Sequence, residues 1–379
     1  MLRSNQTLAY TLDQLTVVGE LYDQLPDNAV RCYACAHRCL IREGRRGICQ
    51  VRFNQDGALR VPHGYAAGIQ ADPIEKKPFY HVFPGSNALT FGMLGCDMHC
   101  DYCQNWLSSQ ALRDPAAGAG PTRVTASQLV DAALCSGAKS VISSYNEPLI
   151  TSEWAVEVFK LAREHDLLCG YVSNGNATTE VLDYLQPWAQ AYKIDLKTMQ
   201  DKQYRQLGAV LQNVLDGIKM AVERGFWVEI VTLLVPGFND SPAELREMAE
   251  FIISVSPDIP WHVTAFHGNY KMTDPRNTSV QDLLQAAKLG KDAGLRYVYA
   301  GNAAGRVGNW EHTFCHNCNK LLIERYGYHI HGYHILSQGS CPKCGVQIPG
   351  IWPKFGEEVR TGGRGSPFRR PRILNQRSL

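Results

Sequence analysis

ALTFGMLGCDMHCDYCQNW, residues 88–106, decides how the rest of the chain is read. It opens as a continuous apolar run, as expected of a strand covered on both faces of its sheet. It ends in three cysteines, Cys96, Cys100 and Cys103, spaced C-x3-C-x2-C. Three thiolates fall one short of a four-iron cluster, in which each iron takes its own ligand. The fourth iron is left open, and an open iron at a strand end can chelate the amino and carboxylate groups of a methionine-like ligand. The competing reading is a zinc knuckle, but knuckles come as C-x2-C pairs and zinc needs a fourth residue.

Outward from this stretch the chain alternates strand and helix. Candidate strands are 88–94, 139–144, 167–173, 191–196, 227–234, 261–266 and 295–300. Helical patterns lie between them, among them TASQLVDAALCSGA, with Thr125 as N-cap, SEWAVEVFKLAREH and SPAELREMAEFIISV. This alternation predicts an α/β fold with a parallel sheet or partial (β/α) barrel, and its chemistry belongs at the C-terminal ends of the strands.

Four parts are expected. Residues 1–85 form an N-terminal four-cysteine metal-binding module, in which VRFNQDGALRV reads as a hairpin turning at Asp56-Gly57. Residues 86–305 form the barrel, 306–352 a zinc ribbon, and 353–379 a basic tail. The tail carries seven Lys/Arg against two Glu, a net of +5, and is expected to be disordered.

Bulk properties narrow the function. The 379 residues are 45% hydrophobic with a formal charge of +2, so no polyanion-binding footprint shows in the total. No apolar run reaches 18 residues and no signal peptide is read, so a cytoplasmic protein is expected. Thirteen cysteines, clustered in C-x2-C spacings, favour metal ligation over disulfides.

The C-terminal set is Cys315, Cys318, Cys341 and Cys344, two C-x2-C pairs separated by 22 residues. This spacing suits tetrahedral four-thiolate zinc, with Gly345 in a tight turn after the last ligand. His316, His329, His331 and His334 are read as surface residues. The N-terminal set is Cys32, Cys35, Cys39 and Cys49. Its spacing suits zinc or a second iron–sulfur cluster and does not decide between them, with zinc the preferred reading. Cys135 and Cys169 stand alone and are given no role.

The C-x3-C-x2-C pattern, with Tyr102 before the last cysteine, resembles the signature of radical S-adenosylmethionine (SAM) enzymes. The resemblance implies a [4Fe–4S] cluster on Cys96, Cys100 and Cys103, and reductive cleavage of SAM to a 5′-deoxyadenosyl radical. SSYNEPLI follows the second strand, where such enzymes keep a polar stretch with Glu that receives the SAM amino group. Asn146 and Glu147 match by position, and the Gly pair often found there is absent. In SNGNATT, Asn174 and Asn176 flank Gly175, as hydrogen-bonding groups for SAM or as an Asn-Gly turn. Asp195 and Lys197 are two apart and share a side of the strand. Opposite charges facing inward are costly without a ligand or a firm pair. Similarity to glycyl-radical-enzyme activases assigns them to the SAM end of the site. VPGFND (235–240), His262, His267 and YAGN (299–302) fall at or near later strand ends, as pocket lining or as turns and core.

Taken in order, CYACAHRCLIREGRRGICQVRFNQDG, DPIEKKPFYHVFPGS, GCDMHCDYCQNW, SSYNEP, KIDLK and FCHNC…CPKCGVQIPGIW resemble the radical SAM member of the AmmeMemoRadiSam system. The resemblance covers about residues 25–352. It implies AMMECR-type and Memo-type partners, and an electron donor such as flavodoxin or ferredoxin. Pyruvate formate-lyase activating enzymes are related. This chain departs from them by placing its extra cysteines before the cluster motif and by adding the C-terminal set.

The leading expectation is therefore hydrogen abstraction from an unidentified substrate, a protein among the candidates. A glycyl-radical activase is the alternative within that class. A metal-stapled nucleic-acid-binding module is the alternative outside it, weakened by near-neutral charge and by the lack of interleaved aromatic and basic residues.

Overall fold

The computed structural model describes residues 7–354 together with 359 and 361. Most of the basic tail expected over 353–379 lies outside the described residues.

One sheet organises the chain. Its strands are β1 (Gly68–Pro73), β2 (Asn87–Gly92), β3 (Ala138–Ser143), β4 (Leu168–Ser173), β5 (Ala191–Asp195), β6 (Trp227–Leu234), β7 (Trp261–Ala265) and β8 (Val298–Gly301). They lie side by side in chain order, with β1 and β8 at the two edges. From β2 to β8 every pairing is parallel, and β1 runs antiparallel to β2, from Gly68↔Gly92 to Pro73↔Asn87. The α/β fold with a parallel sheet stands as expected.

Several crossover helices start where side chains can serve their free N–H groups. In α1 (Ala126–Cys135) Thr125 Oγ1 accepts from Gln128 N, and Gln128 Oε1 accepts from Thr125 N in return. In α2 (Pro242–Val255) Ser241 caps and Pro242 fills the first turn. In α3 (Val280–Ala293) Ser279 and Asp282 form a capping box, and Gly294 ends the helix at φ 114°.

Two expectations shift. The final strand, expected from 295, begins at Val298, because Leu295 N still closes the end of α3 on Gly290 O and Arg296 N donates to Pro257 O. Residues 68–73, expected inside the N-terminal module, supply the sheet's edge strand, so a boundary at 85/86 cuts through the sheet.

Before the sheet lie two small three-stranded antiparallel sheets, of strands 16–18, 58–62 and 53–55, and of strands 22–24, 30–32 and 40–41. The hairpin turning at Asp56-Gly57 is present, pairing Gln55 with Ala58. After the sheet, strands 313–314, 321–326 and 329–333 form a third. Its apolar side chains Leu322, Ile323 and Ile330 share one core with Tyr80, Tyr297 and Tyr299. Arg325 enters that core, donating to Tyr80 O and Thr313 Oγ1 at 2.7 Å each, with its guanidinium 4.4 Å from the Tyr80 ring centre. Among the described residues no helix is long and apolar enough to cross a membrane.

Candidate active site

Strand β2 delivers its chain into Gly95, which sits at φ 94°. A β-carbon there would come 2.8 Å from Val51 Cγ1 and 3.1 Å from Cys49 O. Both the conformation and the closeness call for glycine. The N-terminal module is therefore packed directly against the start of the C-x3-C-x2-C loop.

The loop is pinned along its length. Met98 O accepts from Arg113 at 2.8 Å and from Gln110 Nε2 at 3.2 Å. His99 N donates to Leu207 O, and Asp101 O accepts from Lys271 N and Met272 N. Cys96 Sγ accepts the Met98 N–H at 3.4 Å, and Cys103 Sγ lies 3.2 Å from Ser109 Oγ. Burial pushes the Cys96 thiol well up, and pushes Cys100 to about 12 although Lys197 opposes it. Thiolates so enclosed need compensating positive charge, which iron supplies. Among the described residues, the C-terminal cysteines alone bring three or more ligand atoms within 4.8 Å of one another. The Cys96, Cys100 and Cys103 sulfurs are more widely set, which fits three separate irons better than one shared ion.

Behind Cys96 lies a buried polar network. Asp97 is fully buried and accepts from Asn174 Nδ2 at 2.7 Å and Asn176 Nδ2 at 2.8 Å. Glu147 accepts from Ser173 Oγ, Asn174 N and Leu149 N at 2.7, 2.8 and 3.1 Å. Burial, and then the Asp97 charge, push its carboxyl up to about 8. Asn146 Oδ1 accepts from Met93 N, and its amide donates to Glu147 O. The residues expected after the second and third strands are thus brought together behind the cluster loop, largely partnered by one another. Asn176 Oδ1 is left buried and without a partner.

At the end of β5, Asp195 pairs with Lys197 at 3.4 Å and also with Lys193. Asp195 is 34% exposed while Lys197 is 13% and Lys193 6%, so the carboxylate faces the opening. Burial by itself would lower Lys197, but Asp195, followed by Cys100 and Tyr102, holds it well above the usual lysine range. Lys197 N donates to Tyr204 OH at 3.0 Å, and Lys197 O accepts from Asn239 Nδ2 at 2.6 Å. Tyr102 is buried, edge-on to Phe238 at 5.8 Å. The cysteine loop and the Asp195–Lys197 pair share one end of the sheet.

Sequence reasoning missed Asp97, Lys193 and Asn239. The alternation of K-I-D-L-K carried a signal for Lys193, two before Asp195 on the same side. VPGFND proves to be a turn in which Asn239 braces Lys197. His262 lies near the N-terminal end of β7, at its second position, buried and 2.7 Å from Glu229. His267 is exposed and contacts Gln104. Tyr299 is buried against His81 and Thr313.

In the C-terminal group Cys315 and Cys344 sulfurs are 3.6 Å apart, as are those of Cys318 and Cys341. Gly345 follows at φ 73°. His329, His331 and His334 are exposed, while His316 is half-buried and bonded to Tyr297 OH. Cys169 is buried and Cys135 exposed.

Residues 91–252, which carry the cluster cysteines, the buried network and the Asp195–Lys197 pair, match the radical SAM superfamily. The chain is 35% identical over 331 residues to the uncharacterized protein MJ0808 of Methanocaldococcus jannaschii, covering 86% of this chain and 97% of that one. A domain of the pyruvate-formate lyase-activating enzyme from Bacteroides vulgatus is 21% identical with a TM-score of 0.39, over 43% of this chain and 99% of that one. A radical SAM methyltransferase from Sphaerobacter thermophilus is 15% identical with a TM-score of 0.46, over 63% of this chain and 71% of that one. Membership in such a family implies SAM and a [4Fe–4S] cluster, and the spacing and enclosure of the three thiols suit that cluster. The chain belongs to the radical SAM superfamily, in one family with the Methanocaldococcus jannaschii protein.

Proposed function

We propose that this protein is an enzyme that abstracts a hydrogen atom from its substrate by radical SAM chemistry. The observation that carries the reading is the placing of three enclosed, separated thiols and the Asp195–Lys197 pair at one end of the parallel sheet. Cys96, Cys100 and Cys103 would hold a [4Fe–4S] cluster, which would supply the electron for reductive cleavage of SAM and so the radical chemistry of hydrogen abstraction.

The chain's own residues bind and orient. Asp97, Asn174 and Asn176 fix the backbone beside Cys96, while Glu147 fixes Asn174 and Asn146 fixes Met93 on the two strand ends that carry them. Asn176 Oδ1, unpaired and buried, is an acceptor for an N–H or O–H of SAM. Lys197, kept charged, offers N–H donors to SAM oxygens. Asp195, more exposed than its lysines, accepts from ribose hydroxyls or the amino group. Tyr102 closes the loop against Phe238 and excludes water.

The C-terminal cysteines hold a structural zinc. One-electron reduction comes from a flavodoxin or ferredoxin in the cytoplasm, and AMMECR-type and Memo-type proteins are the proposed partners. The test is anaerobic reconstitution followed by EPR of the reduced protein with and without SAM. A SAM-perturbed cluster signal, lost in the Cys96→Ala/Cys100→Ala/Cys103→Ala variant, is expected. A signal that survives that variant and still responds to SAM would sink the assignment.

A further inference from the structure

Cys32, Cys35, Cys39 and Cys49 take no part in the site above, although Cys35 lies close enough to Asp97 for their charges to interact. The four belong together: Cys35 interacts with Cys32, Cys49 and Cys39 in the same way. Cys32, Cys35 and Cys49 are buried and Cys39 is half-buried. None of the four is in a disulfide.

Spacing distinguishes their metal. A tetrahedral zinc with Zn–S bonds of about 2.3 Å draws all four sulfurs together, roughly 3.8 Å apart. The C-terminal group meets that condition, with all four ligand atoms within 4.8 Å of one another. Among the described residues, no three sulfurs of the N-terminal group do. They share this wider arrangement with Cys96, Cys100 and Cys103. Sulfurs set too far apart to meet on one ion suit a cluster, in which each iron takes one thiolate.

Charge gives a second observation. A four-thiolate metal centre, iron–sulfur or zinc, is anionic, and a buried anion needs a buried cation nearby. Arg52 is that cation: its side chain is 1% exposed, it interacts electrostatically with Cys32 and Cys49, and its Nε–H has no partner. Glu153 shares one edge of the guanidinium, and the Nε–H remains available to a cluster sulfur.

Position gives the role. The module touches the cluster loop through Cys49 O beside Gly95, next in sequence to Cys96. It also touches it through Ala36 N, which donates to Asn176 O at 2.9 Å, and Asn176 in turn holds Asp97. Arg38 and Glu180 clamp the same contact with two bonds of 2.7 and 2.6 Å.

We infer that Cys32, Cys35, Cys39 and Cys49 bind a second iron–sulfur cluster that relays electrons to the cluster on Cys96, Cys100 and Cys103. Full ligation by four thiolates leaves no open iron for substrate, and electron transfer is what such a cluster retains. A one-electron donor of the flavodoxin or ferredoxin class reduces the second cluster by one electron. The second cluster passes that electron to the first and returns to its oxidised state. No bond forms or breaks and no proton moves. The relay, though not the second site, rests on the radical SAM reading of the first.

The full chain is purified anaerobically and reconstituted with iron and sulfide, as wild type and as the Cys96→Ala/Cys100→Ala/Cys103→Ala variant. The variant is expected to keep iron and sulfide, and a reducible EPR signal that SAM leaves unchanged. A folded variant that keeps no iron, whatever zinc it holds at Cys315, Cys318, Cys341 and Cys344, overturns the inference. Wild type in which SAM still perturbs a signal would then leave the radical SAM reading standing. The reverse pattern, with iron in the variant and no SAM effect in wild type, would sink that reading and keep the second cluster. Should the variant fail to fold, wild type decides: reduced fully, it shows two magnetically coupled centres, and a single uncoupled centre overturns the inference. For the relay, Cys35→Ser should lower the ratio of flavodoxin-driven to dithionite-driven SAM cleavage, and an unchanged ratio in a folded protein overturns it.

Discussion

Asn176 donates from Nδ2 to Asp97 at 2.8 Å, so the loop after β4 holds the residue next to Cys96. Asn174 donates to the other carboxylate oxygen at 2.7 Å, and Asp97 has no exposed surface. Asp97→Ala leaves two buried amide donors without acceptors. Each unpaired buried donor costs about 1–3 kcal/mol, so the variant should lose on the order of 2–6 kcal/mol. It should also bind less iron, because the backbone beside Cys96 is no longer fixed. Urea unfolding and iron analysis check both. Asp97→Asn keeps one acceptor oxygen and should recover part of each loss. Equal stability in wild type and Asp97→Ala would show that the network does not hold the loop.

Lys197 and Lys193 both pair with Asp195, but they differ in what else surrounds them. Lys197 lies near Cys100 and Tyr102 and is the more exposed of the two. Lys197→Met should weaken SAM binding by about tenfold or more, the scale of a lost hydrogen bond to a charged group. Iron content should stay unchanged, because Lys197 is not a cluster ligand. Equilibrium dialysis with labelled SAM on reconstituted protein measures this. Wild-type affinity in a variant with full iron content would remove Lys197 from the SAM site.

What was legible follows from distance along the chain. Strands β2 to β8 were readable because each is a short apolar run set between helical patterns. The cysteine loop was readable because its ligands are neighbours in sequence. Strand β1 was missed because GIQADP is polar, ends in proline and pairs antiparallel at an edge, half-buried except at the exposed Gln70. Asp97 was missed because its partners are 77 and 79 residues away. The sharing of one core by the C-terminal sheet and Tyr80, Tyr297 and Tyr299 was missed for the same reason. DPIEKKPFYHVFPGS had no apparent chemistry in sequence, yet its Glu75, Tyr80 and His81 meet Arg325 and Glu229 inside the fold.

That interior sets a pH dependence with two opposing parts. Burial pushes the Glu75 carboxyl up from 4.5 to about 7, with Arg325 opposing. Between those values the folded chain holds a proton that the unfolded chain has released, so stability falls as pH rises, by about 3 kcal/mol in all. Burial pushes His81 down from 6.5 to about 4, with Glu229 opposing. There the unfolded chain takes the proton first, so stability falls as pH drops through that range, by a similar about 3 kcal/mol. The two slopes largely cancel between pH 4.5 and 6.5. Glu75→Gln removes only the first. Relative to wild type, this variant should gain about 3 kcal/mol between pH 4.5 and pH 7.5 in denaturant titrations. A constant difference between the two proteins would show that Glu75 titrates as it does in water.

The C-terminal cysteines give the last prediction. Cys315, Cys318, Cys341 and Cys344 should take one zinc with four Zn–S bonds of about 2.3 Å. X-ray absorption of the full chain at the zinc edge measures this. A module of this size cannot fold well on its own core, so a bound metal should contribute much of its folding energy. Acid or a strong chelator should therefore loosen strands 313–314, 321–326 and 329–333 first. The effect should not stop there. Arg325 holds Tyr80 O and Thr313 Oγ1 and lies over the Tyr80 ring, so residues 79–82 should lose protection next. Hydrogen exchange followed by mass spectrometry gives the order. Arg325→Ala should uncouple the two, raising exchange at 79–82 while the zinc stays bound. A fragment holding only the C-terminal sheet and its cysteines would lack Tyr80, Tyr297 and Tyr299, and so would test a module with three large core side chains removed. Iron at these four sulfurs, cycling reversibly by one electron, would overturn the zinc assignment and make this end of the chain a redox centre.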